Sequence, residues 1–209
     1  MRPLLIVVSA PSGAGKTTLC NRLLARRKDI VYSVSCTTRP PRGDEADGRD
    51  YHFLTDREFE RRRQNGELLE HACVHGHRYG TPRAPVAENL AQGLSVLMDI
   101  DVHGARQVRA AVAAAPAGDP LKAALVDIFI EPPSLAVLRD RLERRGEDSA
   151  DAIARRLRNA AEEMRHRSEF RYRVVNRKLA TAAAELNDIV RREQAQAVRD
   201  STGFLPSRD

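Results

Sequence analysis

The stretch Leu4-Leu5-Ile6-Val7-Val8-Ser9-Ala10-Pro11-Ser12-Gly13-Ala14-Gly15-Lys16-Thr17-Thr18 decides the fold of this chain. It opens with five consecutive aliphatic residues, a pattern typical of a strand that is buried on both faces of a parallel sheet covered by helices. A turn of small residues follows the strand, and a segment with leucines on one helical face begins directly after the turn. Strand, glycine-rich turn and helix in this order predict a βα unit.

The turn matches most of the phosphate-binding pattern G-x-x-x-x-G-K-[ST]. Gly15, Lys16 and Thr17 fit the pattern, and Ala10 stands where the pattern has its first glycine. In such a loop the backbone N–H groups surround a phosphate, the lysine neutralises its charge and the hydroxyl ligates magnesium. The sequence therefore predicts a site for ATP or GTP. The predicted binding residues are Ala10, Pro11, Ser12, Gly13, Ala14, Gly15, Lys16, Thr17 and Thr18.

Strands and helices alternate through most of the remaining chain. The predicted core strands lie at about 4–8, 30–38, 94–101, 124–130 and 172–176. The predicted helices lie at about 17–27, 84–91, 104–115, 134–145, 149–168 and 180–199. This alternation predicts an α/β fold with a doubly wound parallel sheet. The stretch from about 34 to 83 is rich in turns and short strands, which indicates an insert rather than another βα unit.

Composition narrows the class of ligand and of protein. The chain has 209 residues and a net charge of +6, and only four of its 35 basic residues are lysines, which leaves 31 arginines. An arginine-rich, basic chain favours a phosphate-bearing ligand, although a charge that merely solvates the surface is an equally open reading at this point. The hydrophobic fraction of 42% excludes wholesale disorder.

Cysteine usage and hydropathy indicate the compartment. Three cysteines without a C-x-x-C pair exclude a disulfide framework and a zinc site, and they suit a reducing compartment. The longest apolar run, Leu4 to Val8, is far too short to cross a membrane. We therefore expect a soluble, cytoplasmic protein without a membrane partner.

Several further segments, in this order along the chain, resemble guanylate kinases. They are Ser35-Cys36-Thr37-Thr38-Arg39-Pro40-Pro41-Arg42-Gly43, Asp47-Gly48-Arg49-Asp50-Tyr51, Glu70-His71-Ala72, Tyr79-Gly80-Thr81-Pro82, Asp99-Ile100-Asp101, Pro132-Pro133-Ser134, Arg141-Leu142-Glu143-Arg144-Arg145-Gly146, Arg156 and Val174-Val175-Asn176. The resemblance covers residues 3–195 and implies the P-loop nucleoside-monophosphate-kinase fold. It implies a core (about 3–33, 84–133 and 169–199), a GMP-binding insert (about 34–83), a helical lid (about 134–168) and a polar tail (200–209).

The insert carries groups suited to a phosphate. Arg39 and Arg42 are three residues apart on a proline-stiffened segment, and two arginines so placed can hold a dianionic phosphate through several hydrogen bonds. Tyr51 and Tyr79 can add neutral O–H donors. The resemblance implies that these four side chains hold the phosphate of GMP.

The choice of base follows from hydrogen-bonding chemistry. Guanine presents N1–H and N2–H₂ donors that one carboxylate can accept together, whereas adenine presents an acceptor at N1. The resemblance assigns this carboxylate to Glu70, with the hydroxyls of Ser35 and Thr81 toward O6 and Asp101 nearby. A site built around a buried carboxylate is left unpaired by the wrong base, so discrimination of roughly 10⁴-fold is expected.

The remaining predicted site residues belong to the metal, the lid and the adenine. Asp99, at the end of a core strand, is placed to order Mg²⁺ through water together with Thr17. The resemblance implies that the lid arginines stabilise the charge of the transferred phosphoryl group, and that Asn176 lies near the adenine of ATP. The predicted catalytic residues are Lys16, Arg39, Arg42, Arg141, Arg145 and Arg156.

The sequence thus predicts a magnesium-dependent transfer of phosphate from ATP to GMP or dGMP. Two alternatives are a non-catalytic guanylate-kinase-like module that binds phosphopeptides and a P-loop kinase for another monophosphate. A nucleic-acid-binding protein has little support, because aromatics make up only 4% of the chain. The chain departs from the family pattern at Arg78 and Arg177, where a tyrosine-like and an acidic residue are usual. The oligomeric state is not predicted.

Overall fold

The structure is a computed structural model that describes residues 2–122, 124–146 and 149–202, with the backbone alone at Ala124, Arg145 and residues 197–202. The strands are β1 (Leu4–Ser9), β2 (Ile30–Tyr32), β3 (Cys36–Thr37), β4 (His52–Phe53), β5 (Leu68–Val74), β6 (His77–Pro82), β7 (Ser95–Asp99), β8 (Ala124–Glu131) and β9 (Tyr172–Val175). The α-helices are α1 (Lys16–Arg26), α2 (Asp56–Gln64), α3 (Arg83–Ala91), α4 (Val102–Ala114), α5 (Leu135–Arg145), α6 (Ala150–Arg165) and α7 (Leu179–Thr202).

The central sheet is parallel and doubly wound, as predicted. Its five strands lie in the order β2-β7-β1-β8-β9, so that β1 has a parallel neighbour on each side. Alternate residues of β1 face opposite layers: Leu4, Ile6 and Val8 join a core cluster with α1 and α7. Leu5 and Val7 join a second cluster with α3 and α4. Because both faces are covered, the strand is uniformly apolar rather than alternating.

The predicted strand at 30–38 is wrong as a single element. Ile30–Tyr32 pairs in parallel with β7 of the central sheet. Cys36–Thr37 instead lies in a second, mixed sheet of order β4-β3-β6-β5, where it pairs antiparallel with β6. The chain passes from one sheet to the other between these segments. Both carry β-branched residues and cysteine or tyrosine, so their composition did not reveal the break.

Helices α5 and α6 pack against each other through a small cluster of their own, formed by Leu138, Leu142 and Ala160. In the part of the chain that the structure describes, no helix is long and apolar enough to span a membrane. Residues 200–202 of the predicted tail belong to α7, and residues 203–209 lie outside the described residues.

The contribution of the sheet core can be tested at Phe129, which is fully buried and whose ring centroid lies 5.2 Å from that of Phe170. Phe129→Ala should lower the free energy of unfolding by about 3–5 kcal/mol, because it removes a large side chain and leaves a cavity. Leu135→Ala, at a side chain that is 41% exposed, should change it by less than about 0.5 kcal/mol. Urea denaturation of both variants measures the difference, and equal losses would contradict the assignment of Phe129 to the core.

Candidate active site

The phosphate-binding loop between β1 and α1 depends on two glycines with left-handed backbone. Gly13 has φ +87° and Gly15 has φ +93°. A Cβ at Gly13 would lie 3.0 Å from side-chain atoms of Leu138 and Leu142, and a Cβ at Gly15 would lie 2.5 Å from Nδ2 of Asn176. Glycine is therefore required twice over, by its backbone conformation and by the close approach of α5 and of the end of β9.

The loop forms one wall of a cavity of about 600 Å³. Lys16, Thr17 and Thr18, at the start of α1, line it together with the loop itself. Its full lining is Ala10, Pro11, Ser12, Gly13, Gly15, Lys16, Thr17, Thr18, Asp101, Arg141, Leu142 and Glu163. The N-terminus of a helix and a lysine together favour an anion in such a cavity.

The carboxyl end of β7 brings two carboxylates beside this loop. Asp99 pairs with Val8 in the sheet register, and its Oδ1 lies 3.9 Å from Nζ of Lys16. The hydroxyl of Tyr32 donates to the same oxygen at 3.3 Å. Asp101 caps α4, since its Oδ1 accepts a hydrogen bond from the N–H of Gly104 at 2.7 Å.

A second cavity, of about 200 Å³, lies between the central sheet and the mixed sheet. It brings together most of the residues predicted to bind a monophosphate. Its lining is Lys16, Tyr32, Ser35, Asp50, Tyr51, Glu70, Ala72, Val74, Tyr79, Asp99, Ile100 and Asp101. Lys16 and Asp101 line both cavities, so the two cavities adjoin at these side chains.

Glu70 is a buried carboxylate at one end of the second cavity, with 6% of its surface exposed. It lies opposite Thr81 in the β5–β6 pair, and the Thr81 hydroxyl donates to its Oε1 at 2.7 Å. Burial raises the pKa of Glu70, and nearby Asp101 raises it further, while the Thr81 hydrogen bond lowers it. A buried carboxylate with one oxygen held by a hydroxyl retains acceptor capacity for a ligand that brings donors.

Arg39, Tyr51 and Tyr79 form one cluster in the insert. The guanidinium of Arg39 is buried, donates from Nε to the Tyr79 hydroxyl at 3.3 Å and lies 5.4 Å from the centroid of the Tyr51 ring. Both of its terminal nitrogens donate to Glu45 at 2.9 Å. Arg42 is different, because its side chain is exposed and only its backbone N–H joins the cluster, through Glu45.

Arg141 of α5 is linked to the loop through Asn176, which follows β9. Arg141 lines the first cavity and donates to the carbonyl of Asn176 at 2.6 Å. The side-chain amide of Asn176 donates to the carbonyl of Ala14 at 2.8 Å, so this buried residue ties β9 to the loop. Arg156 is half-buried on α6, and the side chain of Arg145 lies outside the described residues.

The two departures from the family pattern point away from both cavities. Arg78 donates to Glu60 at 2.7 Å and thereby joins β6 to α2. Arg177 is exposed after β9. Neither residue lines either cavity.

Sequence reasoning missed three residues of the site: Tyr32, Glu45 and Glu163. The regular spacing Arg39-x-x-Arg42-x-x-Glu45 was a usable signal for Glu45, since a carboxylate three residues beyond two arginines is a natural partner. Glu163 lies seven residues beyond Arg156 on one helix, which places both on the same face. Tyr32 carried no signal, because it ends an ordinary edge strand.

Comparison with known proteins points to one family. A family model described as guanylate kinase matches residues 1–193. The guanylate kinase of Symbiobacterium thermophilum is 46% identical over 97% of this chain and 91% of its own length. That of Cupriavidus pinatubonensis is 48% identical over 96% of this chain and 90% of its own.

Known structures extend the likeness to three dimensions. The crystal structure of a guanylate kinase from Anaplasma phagocytophilum matches with a TM-score of 0.69 and 35% identity. The match covers 92% of this chain and 86% of that one. With a nearly full-length family match, close relatives and a fold in common, the chain belongs to the guanylate kinase family.

Proposed function

We propose that the two adjoining cavities hold the two substrates of the family's reaction, ATP in the loop cavity and GMP in the cavity of the insert. The reaction is the transfer of a phosphoryl group from ATP to GMP, which gives ADP and GDP. The single observation that carries the assignment is the position of Lys16, which lines both cavities at their junction. A cation at this point faces the phosphates of both substrates.

On the ATP side, the loop residues 10–18 surround the phosphates with N–H groups and the Lys16 ammonium. Arg141 lines this cavity from α5, and Arg145 and Arg156 are proposed to join it, in line with their positions in the family motif. Asn176 contributes by fixing the loop at Ala14 and accepting from Arg141, next to the expected place of the adenine.

On the GMP side, Arg39, Tyr51 and Tyr79 are already gathered around one point, and Arg42 is proposed to join them when the phosphate binds. Glu45 holds the Arg39 guanidinium with two hydrogen bonds, which fixes its plane. Of the five N–H donors of this guanidinium, two bond Glu45, one bonds the Tyr79 hydroxyl and one bonds the carbonyl of Pro40, which leaves one N–H of Nη2 for a phosphate.

Recognition of guanine is assigned to Glu70. Its carboxylate accepts from N1–H and N2–H₂, while the hydroxyls of Ser35 and Thr81 face O6 and Asp101 lies nearby. The Thr81 hydroxyl can donate to O6 once it releases Oε1 of Glu70. The raised pKa of Glu70 reflects a carboxylate that has lost water without gaining an ion pair. The N–H groups of guanine would supply the hydrogen-bond donors that this carboxylate lacks. The same contacts do not involve the 2′-hydroxyl, so dGMP is expected to serve as well.

The residues around Lys16 fit magnesium. Thr17 offers a hydroxyl and Asp99 a carboxylate, which are the oxygen ligands that this ion prefers, directly or through water. Among the described residues no group of three or more His, Cys, Asp or Glu forms a metal cage, a pattern compatible with an ion held largely by water and substrate phosphates. When bound, magnesium neutralises charge on the β- and γ-phosphates.

The transfer itself needs positioning and charge neutralisation rather than a general base. An oxygen of the GMP phosphate, already ionised, attacks the γ-phosphorus as the bond to the bridging oxygen breaks, and ADP keeps that electron pair. Lys16 and the arginines of the insert and lid hold the attacking and leaving oxygens in line. The insert (34–83) and the lid (134–168) are proposed to close over the substrates and exclude water that would hydrolyse ATP.

The setting of the reaction is proposed from its substrates and from the cysteines. Phosphorylation of GMP belongs to purine nucleotide metabolism and GMP recycling. All three cysteines are free, which suits the reducing cytoplasm. Small-molecule substrates rather than nucleic acid are the proposed partners. A phosphopeptide-binding role is less favoured because the loop retains Gly15, Lys16 and Thr17.

Removal of the Lys16 charge tests the catalytic assignment. Lys16→Ala should lower kcat by about 10²–10³-fold, because no other group neutralises the transferred phosphoryl group from that position. The melting temperature should stay close to that of the wild type, since Lys16 lies at the cavities and not in the core. Lys178→Ala, an exposed lysine outside both cavities, is the matched control and should keep full activity. Near-normal turnover of Lys16→Ala in a coupled ADP-release assay would refute the assignment.

Base selectivity is tested by measuring the phosphorylation of GMP, AMP, UMP and CMP, each alone, by the wild type and by Glu70→Gln. The wild type should phosphorylate GMP far better than the others. Glu70→Gln should lower kcat/KM for GMP by about 100-fold or more, since the amide presents a donor to the donors of guanine. Glu67→Gln, an exposed carboxylate nearby, is the control. A wild-type preference for AMP would overturn the role of Glu70.

The raised pKa of Glu70 predicts a pH dependence of KM. As the pH falls, protonation of Glu70 removes an acceptor for guanine, so KM for GMP should rise. Because burial raises this pKa, the rise should begin at a higher pH than an exposed glutamate would cause. Comparing KM for GMP in the wild type and Glu70→Gln from about pH 8 to about pH 5 cancels the titration of the substrate phosphate. Parallel profiles in the two proteins would show that Glu70 does not titrate in this range.

A further inference from the structure

Glu163 places a negative charge in the cavity that is built for phosphate. It lies near the C-terminal end of α6, is half-buried, and lines the first cavity together with the loop and Lys16. Its Oε2 atom is buried and has no hydrogen-bond partner among the described residues. This oxygen therefore lacks the hydrogen bond that a buried carboxylate oxygen usually accepts.

The two adjacent glutamates of α6 lie in different surroundings. Glu162, its neighbour on α6, is exposed and pairs with Arg165 at 3.0 Å, as surface carboxylates commonly do. Glu163 instead shares its helix face with Ala160, which packs on Leu142 of α5. A glutamine of the same shape would fill this position without burying a charge.

The surroundings of Glu163 combine attraction and repulsion. Burial raises its pKa, and the carboxylate of Asp101 raises it further, whereas Lys16 and the backbone N–H of Ser12 lower it. Asp101, Lys16 and Ser12 all line the cavity that receives the phosphates. Any anion placed between the loop and α6 meets Glu163 as a like charge.

We propose that Glu163 is a repulsive counter-charge that weakens the hold of the loop on nucleotide and so speeds the departure of ADP. A loop that offers N–H groups, Lys16 and several arginines to a polyanion binds it tightly, and release of product limits turnover in many enzymes. One opposing carboxylate at the wall formed by the lid reduces that affinity without removing any catalytic group. The proposal rests on the assignment of this cavity to ATP.

The test compares ADP binding to the wild type, Glu163→Gln and Glu162→Gln. Calorimetry without metal should give a dissociation constant about 3- to 10-fold lower for Glu163→Gln, since the opposing charge is gone. Stopped-flow displacement of a fluorescent ADP should show a release rate that is lower by a similar factor. Glu162→Gln should match the wild type in both measurements. The affinity for GMP should be unchanged in all three proteins.

A role in packing alone would give a different pattern. Glu163→Asp keeps the charge on a shorter side chain and should bind ADP as the wild type does, and the melting temperature of each variant reports its folding. ADP affinity in folded Glu163→Gln that equals the wild type, or falls below it, would overturn the proposal. Failure of the wild type itself to bind ADP would instead overturn the assignment of the cavity.

Discussion

The hydrogen bond from the Asn176 amide to the carbonyl of Ala14 is the contact on which the arrangement of the nucleotide site depends. It closes over Gly15 so tightly that a single added Cβ would lie 2.5 Å from the amide nitrogen. The carbonyl of Asn176 in turn accepts from Arg141. One buried residue thus joins the loop, the end of β9 and α5 to each other. These three segments are distant in sequence and meet at this residue.

The basic side chains divide into those that line a cavity and those that pair with carboxylates on the surface. A basic chain suggested phosphate handling, yet many of the described arginines outside the two cavities pair with carboxylates of the protein itself. In α2, for example, Arg61 and Arg62 pair with Glu58, and Arg63 pairs with Glu60. Such exposed pairs contribute little to stability. Lys16 differs from these surface arginines because it lines both cavities.

Elements set by interactions between residues near in sequence were predictable, and elements set by distant residues were not. The buried strand, the loop and α1 follow from local pattern, since five aliphatic residues, two left-handed glycines and a lysine each act within one short segment. The failure at residues 30–38 has the opposite cause. Which sheet a short strand joins depends on partners 40 to 65 residues away, such as the pairing of Cys36 with Gly80 and of Ile30 with Ser95, and composition does not encode that choice.

The site residues show the same division. The position of Arg39 was predictable from its motif, but its bidentate pairing with Glu45 and the exposure of Arg42 depend on how the turn between them folds. Glu163 could not be identified from the sequence for a further reason, because what distinguishes it is a buried oxygen without a hydrogen-bond partner among the described residues. A glutamate on an arginine-rich helix looks like a surface residue, and only the packing of α6 toward the loop shows that its carboxylate lines the same cavity as Lys16. A buried oxygen without a partner departs from the rule that buried polar groups are hydrogen-bonded. Such departures are expected at functional sites, and they become visible only in the three-dimensional structure.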